Sequence, residues 1–164
     1  MQPSTDSVPP KLEIVRVSPA CALGHFGDVL VVSWRQAIVL EDIRALIALR
    51  NQLMRRGLAG AVQMAEPGLA LPDEECRKAA REGMLARTGS EAPVALTIFG
   101  SGFGASAIRS VGTAIFALRS GPPTRIFATL SEATSWLAGH SAAVIDAFAL
   151  TQACDAMRTA QHRS

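Results

Sequence analysis

Apolar and polar positions follow one rhythm in the first part of the chain and another after it. Lys11 to Val17 alternates, while Ala22 to Phe26 and Val29 to Trp34 are nearly continuous apolar runs parted only by Gly27-Asp28. A period of two marks a strand, and so short a gap carrying a glycine suits the tight turn of an antiparallel hairpin. From Leu40 the period becomes helical. Leu40, Ile43, Leu46, Ile47, Leu53 and Met54 form one stripe, and Glu41, Asp42, Arg44, Asn51, Arg55 and Arg56 are expected to face outward. Acids open this helix and arginines close it, as its dipole favours, and Gly57 supplies a stop. Leu58 to Met64 then reads as a short buried strand that ends at the turn signal Glu66-Pro67-Gly68.

Pro72 suits a first helical position, and the pairs Asp73-Arg77 and Glu74-Lys78 support a second helix to about Arg87. Its inner face, Cys76, Ala79, Ala80, Gly83 and Met84, is made of small side chains except at its end. It buries little area, so this helix is expected to be held least securely. Val94 to Phe99 has the character of a central strand, and Ile108, Val111, Gly112, Ile115, Phe116 and Leu118 give a third helix a full core-facing stripe before Gly121-Pro122-Pro123. Arg125 to Thr129 reads as a further strand. Ser131 is the expected cap of a fourth helix containing Trp136 and Leu137, closed by Gly139, and Ser141 the expected cap of a last helix reaching about Gln161. The pattern predicts an α/β fold: a mixed, mostly parallel four- to five-stranded sheet opened by an antiparallel hairpin, with crossover helices in the order ββαβαβαβα and an extra C-terminal helix. Residues 1–10 read as a disordered tail, 11–139 as the α/β domain and 140–164 as a helical extension.

Composition narrows the class. A chain of 164 residues, 49% hydrophobic and 18% charged, suits one soluble domain and is too apolar for disorder. Its longest apolar runs fall far short of the ~20 residues of a membrane span, and the proline-rich amino end lacks the pattern of a secretory signal, so a cytoplasmic location is expected. Cys21, Cys76 and Cys154 form no CxxC spacing, which predicts reduced core thiols with neither a disulfide framework nor a zinc site. The net charge of +2 is spread along the chain, and the aromatic residues sit in apolar segments. Neither provides the basic stripe or stacking platform of a nucleic-acid binder.

The most suggestive chemistry is the glycine-rich turn after the Val94–Phe99 strand. Gly100-x-Gly102-x-x-Ala105 imitates a dinucleotide fingerprint, in which glycines let backbone amides approach a pyrophosphate. The context departs from that motif. Arg125 to Thr129 ends without an acid for a ribose, and the motif follows a late strand. No cofactor is expected. Gly100, Ser101, Gly102, Phe103, Gly104 and Ser106 are instead the candidate surface for a partner or small ligand, at the edge where open α/β sheets usually bind. Ser101 lies outside a GxSxG elbow, His25, His140 and His162 are not placed as bases, and no HExxH or DxD spacing suggests a metal, so enzymatic activity is not expected.

The element order, from about Ala20 to Gly139, resembles the STAS (sulfate transporter and anti-sigma antagonist) domains. The segment Thr124-Arg-Ile-Phe-Ala-Thr-Leu-Ser-Glu-Ala-Thr-Ser-Trp-Leu137 is similar to the closing strand-helix unit of that family. The resemblance implies a non-catalytic protein-interaction module of bacterial signalling. Phosphorylated members carry a serine between the third strand and second helix. Here that stretch is Glu66-Pro-Gly-Leu-Ala-Leu-Pro-Asp-Glu-Glu75, without a hydroxyl, so no serine phosphoswitch is expected. Glu66, Asp73, Glu74 and Glu75 form a candidate acidic docking patch whose charge is fixed where phosphorylation would otherwise add it. Val144, Ile145 and Phe148 are candidate contacts to a second copy, set against packing of the last helix on its own sheet. A small-ligand or lipid carrier is the alternative reading, and a nucleotide-dependent enzyme using Gly100 to Ala105 a more distant one.

Overall fold

The computed structural model describes residues 9–70, 72–85, 92–102, 105, 106, 109 and 122–164. Strands β1 (Leu12–Val17), β2 (Cys21–Phe26) and β3 (Val29–Trp34) come first, followed by α1 (Leu40–Arg56), β4 (Gly60–Ala65), α2 (Glu74–Leu85), β5 (Val94–Ile98), β6 (Thr124–Phe127), α3 (Leu130–His140) and α4 (Ala147–His162). The expected helical stripe from Ile108 to Leu118, with Phe103 and Gly104, lies outside the described residues.

The strands form one mixed sheet in the order β1-β2-β3-β4-β5-β6. β1, β2 and β3 pair antiparallel, and β3 through β6 pair parallel. Gly27, at φ +58°, takes the first place of the two-residue turn between Phe26 and Val29, a conformation open to glycine without strain. The sheet has six strands, more than the four to five expected. The additional member is the edge strand β1, whose ladder with β2 is broken by a register shift between Ile14 and Arg16.

Sequential strand order decides where the helices go. Each parallel crossover steps the same way across the sheet, so right-handed connections place their helices on one face. α1 and α2 accordingly share a core with Leu23, Leu30, Val32 and Trp34, to which they bring Ile43, Leu46, Leu49, Leu53 and Cys76. α3 and α4 follow the last strand and cover the opposite face, over Ala22, Val29, Val31, Val62, Met64 and Ala95. The C-terminal helix thus packs on its own sheet. Leu150, Ala153, Cys154 and Met157 are buried there, and Gln161 accepts a 2.7 Å hydrogen bond from the Ser33 hydroxyl.

Several local expectations change. Asp42 is buried at 1% exposure, because Arg16 of β1 reaches across to donate from Nε to its Oδ1 at 3.1 Å. Leu49 is buried as well, so the inner stripe of α1 is set a little differently from the one periodicity gave. Thr129, not Ser131, caps α3: its Oγ1 accepts from Glu132 N and donates to Glu132 Oε2. α3 continues through Gly139 to His140. Asp146 caps α4 by accepting from Ala149 N at 3.0 Å, while Ser141 donates its hydroxyl to Ala59 O at 2.8 Å and ties the preceding loop to the start of β4.

Candidate functional site at the carboxyl edge of the sheet

Parallel strands deliver their carboxyl ends to one edge, and the glycine-rich turn lies there. Gly100 at φ +126° and Gly102 at φ +97° occupy backbone conformations that side chains make costly. A Cβ at Gly100 would lie 3.6 Å from Ala105 Cβ and 3.8 Å from Pro67 Cγ, so this turn rests beside the Glu66-Pro67-Gly68 turn. Arg109 Nη1 donates to Ile98 O at 3.1 Å and to Gly100 O at 3.4 Å, which fixes the guanidinium against the end of β5.

Next to this turn an open cleft of about 570 Å³ runs along β6. It is lined by the consecutive run Arg125 to Ala128 together with Ser106, Arg109, Glu132 and Trp136. The aromatic wall is continuous. The Arg125 guanidinium lies 5.5 Å from the Phe127 ring centre, Phe127 lies 5.6 Å from Trp136, and Trp136 stacks on His140 at 4.5 Å. His140 Nδ1 also donates to Trp136 O at 2.8 Å. Glu132 is held by the Thr129 hydroxyl at 2.9 Å, and no described carboxylate forms an ion pair with Arg125.

Of the residues expected at this edge, Ser106 lines the cleft, Gly100 shapes it through Arg109, and Ser101 and Gly102 are exposed nearby. Phe103 and Gly104 lie outside the described residues. Arg109, Arg125, Phe127, Glu132 and Trp136 were not singled out from the sequence, because they meet only when α3 folds back beside β6. The available signal was the alternation Arg125-x-Phe127, which puts both side chains on one face.

The acidic candidates differ in their surroundings. Glu66 is 9% exposed and accepts from Arg158 Nε of α4 at 2.6 Å. Asp73 Oδ1 accepts from Cys76 N at 2.8 Å and caps α2, and this bond holds its carboxyl below the ordinary range. Glu74 and Glu75 remain exposed in the first turn. Arg158 also stacks over Phe99, 3.8 Å from the ring centre, so one guanidinium clamps α4 to the ends of β4 and β5. Removing it leaves the nearly buried Glu66 carboxylate with His162 Nε2, 4.0 Å away, in place of its 2.6 Å bond to Arg158. Since Arg158 keeps 26% exposure, Arg158→Ala is expected to cost about 2 kcal/mol, below the usual range for a fully buried pair, as read by urea unfolding.

The oligomer candidates divide too. Ile145 packs against the core beneath α3 and α4, while Val144 and Phe148 are exposed.

All three thiols are buried and unpaired. Burial raises the pKa of Cys21 and pushes Cys154 up to about 12, so both stay as unreactive thiols near neutrality. Ellman's reagent at pH 8 is expected to label them only at the rate of opening, and promptly in denaturant. Unfolding releases the Cys154 proton above the ordinary thiol pKa, so this group's contribution to stability falls between about pH 9 and about 12. Rapid labelling of the native chain would contradict this.

Among the described residues no group of three or more histidine, cysteine or acidic side chains gathers to hold a metal, and no helix is long and apolar enough to cross a membrane. Comparison with protein-family models, curated proteins and solved structures gives no match to this chain. What the fold defines is a class: an α/β domain with a six-stranded mixed sheet.

Proposed function

We propose that the chain is a non-catalytic recognition module of STAS-like type, acting in regulation through a protein partner and without a serine phosphoswitch. The observation that carries this reading is the open carboxyl-edge cleft, where an exposed Arg125 adjoins the half-buried rings of Phe127 and Trp136. Arginine and large aromatic side chains are the groups that dominate binding energy at protein interfaces. The stretch from Glu66 to Glu75 supports the second part of the proposal, since it contains no hydroxyl to phosphorylate. The alternative is a small-ligand carrier, favoured by a cleft volume within the ~300–1,000 Å³ of ligand sites. The open, arginine-bearing wall suits a polar ligand better than a lipid.

Native mass spectrometry of the protein isolated from its own cells tests the proposal. A complex with a defined protein, lost in Trp136→Ala and Arg125→Glu, is the expected result. A bound small molecule lost in the same variants would replace it with the carrier reading. A complex that both variants retain would remove the cleft from either.

A further inference from the structure

The two edges of the sheet differ in how they are finished. β1 is blunted: its ladder carries a bulge, Arg16 is committed to Glu41 and Asp42, and Glu13 lies 3.6 Å from His25. Bulges and inward-directed charges are the usual protection of an edge strand. β6 is the other edge; it is four residues long and carries the exposed Arg125, but its ladder has no bulge. It pairs in regular register with β5 from Val94↔Thr124 to Thr97↔Phe127, and no described strand pairs with its outer side. Four consecutive residues of and just after this strand, Arg125 to Ala128, line the cleft.

We propose that the β6 groove takes an extended acidic peptide of a protein partner as a seventh strand. The inference rests on reading the cleft as a recognition surface, and it names what is recognised. Strand addition satisfies the ladder groups of an exposed edge, and side-chain contacts then select the sequence. Selection here is electrostatic. Arg125 lines the groove, is exposed and forms no ion pair with a described carboxylate. Alternation adds a second requirement. Arg125 and Phe127 share a face, so a strand laid against them presents an acid and, two residues away at roughly 7 Å, an apolar side chain to Phe127 and Trp136. The recognised pattern is therefore acid-x-apolar in an extended segment.

The test uses the full chain and three labelled hexapeptides: alternating Glu-Val, alternating Lys-Val, and the Glu-Val sequence with alternate amides N-methylated. Anisotropy is expected to show the Glu-Val peptide binding at least ~10-fold more tightly than the other two, and Arg125→Glu weakening it by a similar factor. Arg125 is exposed, so this variant keeps the fold. Hydrogen exchange is expected to slow in residues 124–128 when the Glu-Val peptide binds. Equal binding of the Lys-Val or N-methylated peptide, or absence of that protection, overturns the inference. Were either found while Trp136→Ala and Arg125→Glu still released a natural partner, the recognition site would stand and only the peptide chemistry would fall. Retention of that partner by both variants would remove both.

Discussion

Ending the chain at Gly139 is expected to abolish its cooperative unfolding transition. α4 supplies Leu150, Ala153, Cys154 and Met157 to the core over β1, β2 and β3, and all four are buried. Leu150 and Met157 alone represent roughly 3–6 kcal/mol, at about 1.5–3 for each large side chain buried. Their removal also returns to water the sheet side chains they cover, including Ala22, Val29 and Val31. The Ser33–Gln161 hydrogen bonds and the Glu66–Arg158 pair go with them. Domains of this kind are stable by only about 5–15 kcal/mol, so the loss approaches the whole margin. Near-UV circular dichroism and urea titration would read the result. A shortened chain that kept a sharp transition near the full-length midpoint would show that α4 is an accessory. Leu150→Ala in the full chain, expected to cost about 2–5 kcal/mol, separates packing from chain length.

Gly24→Ala is expected to be the most damaging single methyl group, at about 2–3 kcal/mol. Gly24 lies opposite Ile14 in the β1–β2 ladder, beneath the end of Met157. A Cβ there would run into the Glu13 carbonyl oxygen, come within 3.1 Å of Ile14 Cα and approach Met157 Cε to 2.8 Å. Two of these neighbours are backbone and cannot rotate away, so β1 must shift and α4 must rise with it. Gly83→Ala provides the contrast. The three atoms nearest its added Cβ all belong to the Ile47 side chain, which can change rotamer, while alanine within a helix gains about 1 kcal/mol over glycine. Its net effect should stay within about 1 kcal/mol. Equal midpoints for the two variants in urea would mean that the Gly24 contact is relieved without cost.

Element type and order were legible because each segment carries its own period: the hairpin at Gly27, the stripe of α1 and the apolar runs of β4 and β5 are local facts. The misplaced details each needed a partner distant in sequence. Asp42 looks like an outward-facing first-turn acid until Arg16 is folded over it. Glu66 looks like the start of an acidic patch until Arg158, far along the chain, reaches it. Ser141 has the residue type of a cap, yet its hydroxyl serves Ala59 and the cap falls to Asp146. The site was half legible for the same reason. Glycines mark the turn that brings Ser106 and Arg109 to the edge, but Arg125, Phe127, Glu132 and Trp136 become a wall only through the return of α3 beside β6.

The strand order has a consequence during synthesis. Each strand pairs with the one made just before it, so the sheet can extend in the direction of translation with short loop closures. The face over β1, β2 and β3 cannot be covered by α4 until that helix leaves the ribosome, because α4 follows all six strands yet lies over the first three. A nascent chain of this topology carries a bare apolar surface until α4 has been made, the condition under which aggregation competes with folding and chaperones engage.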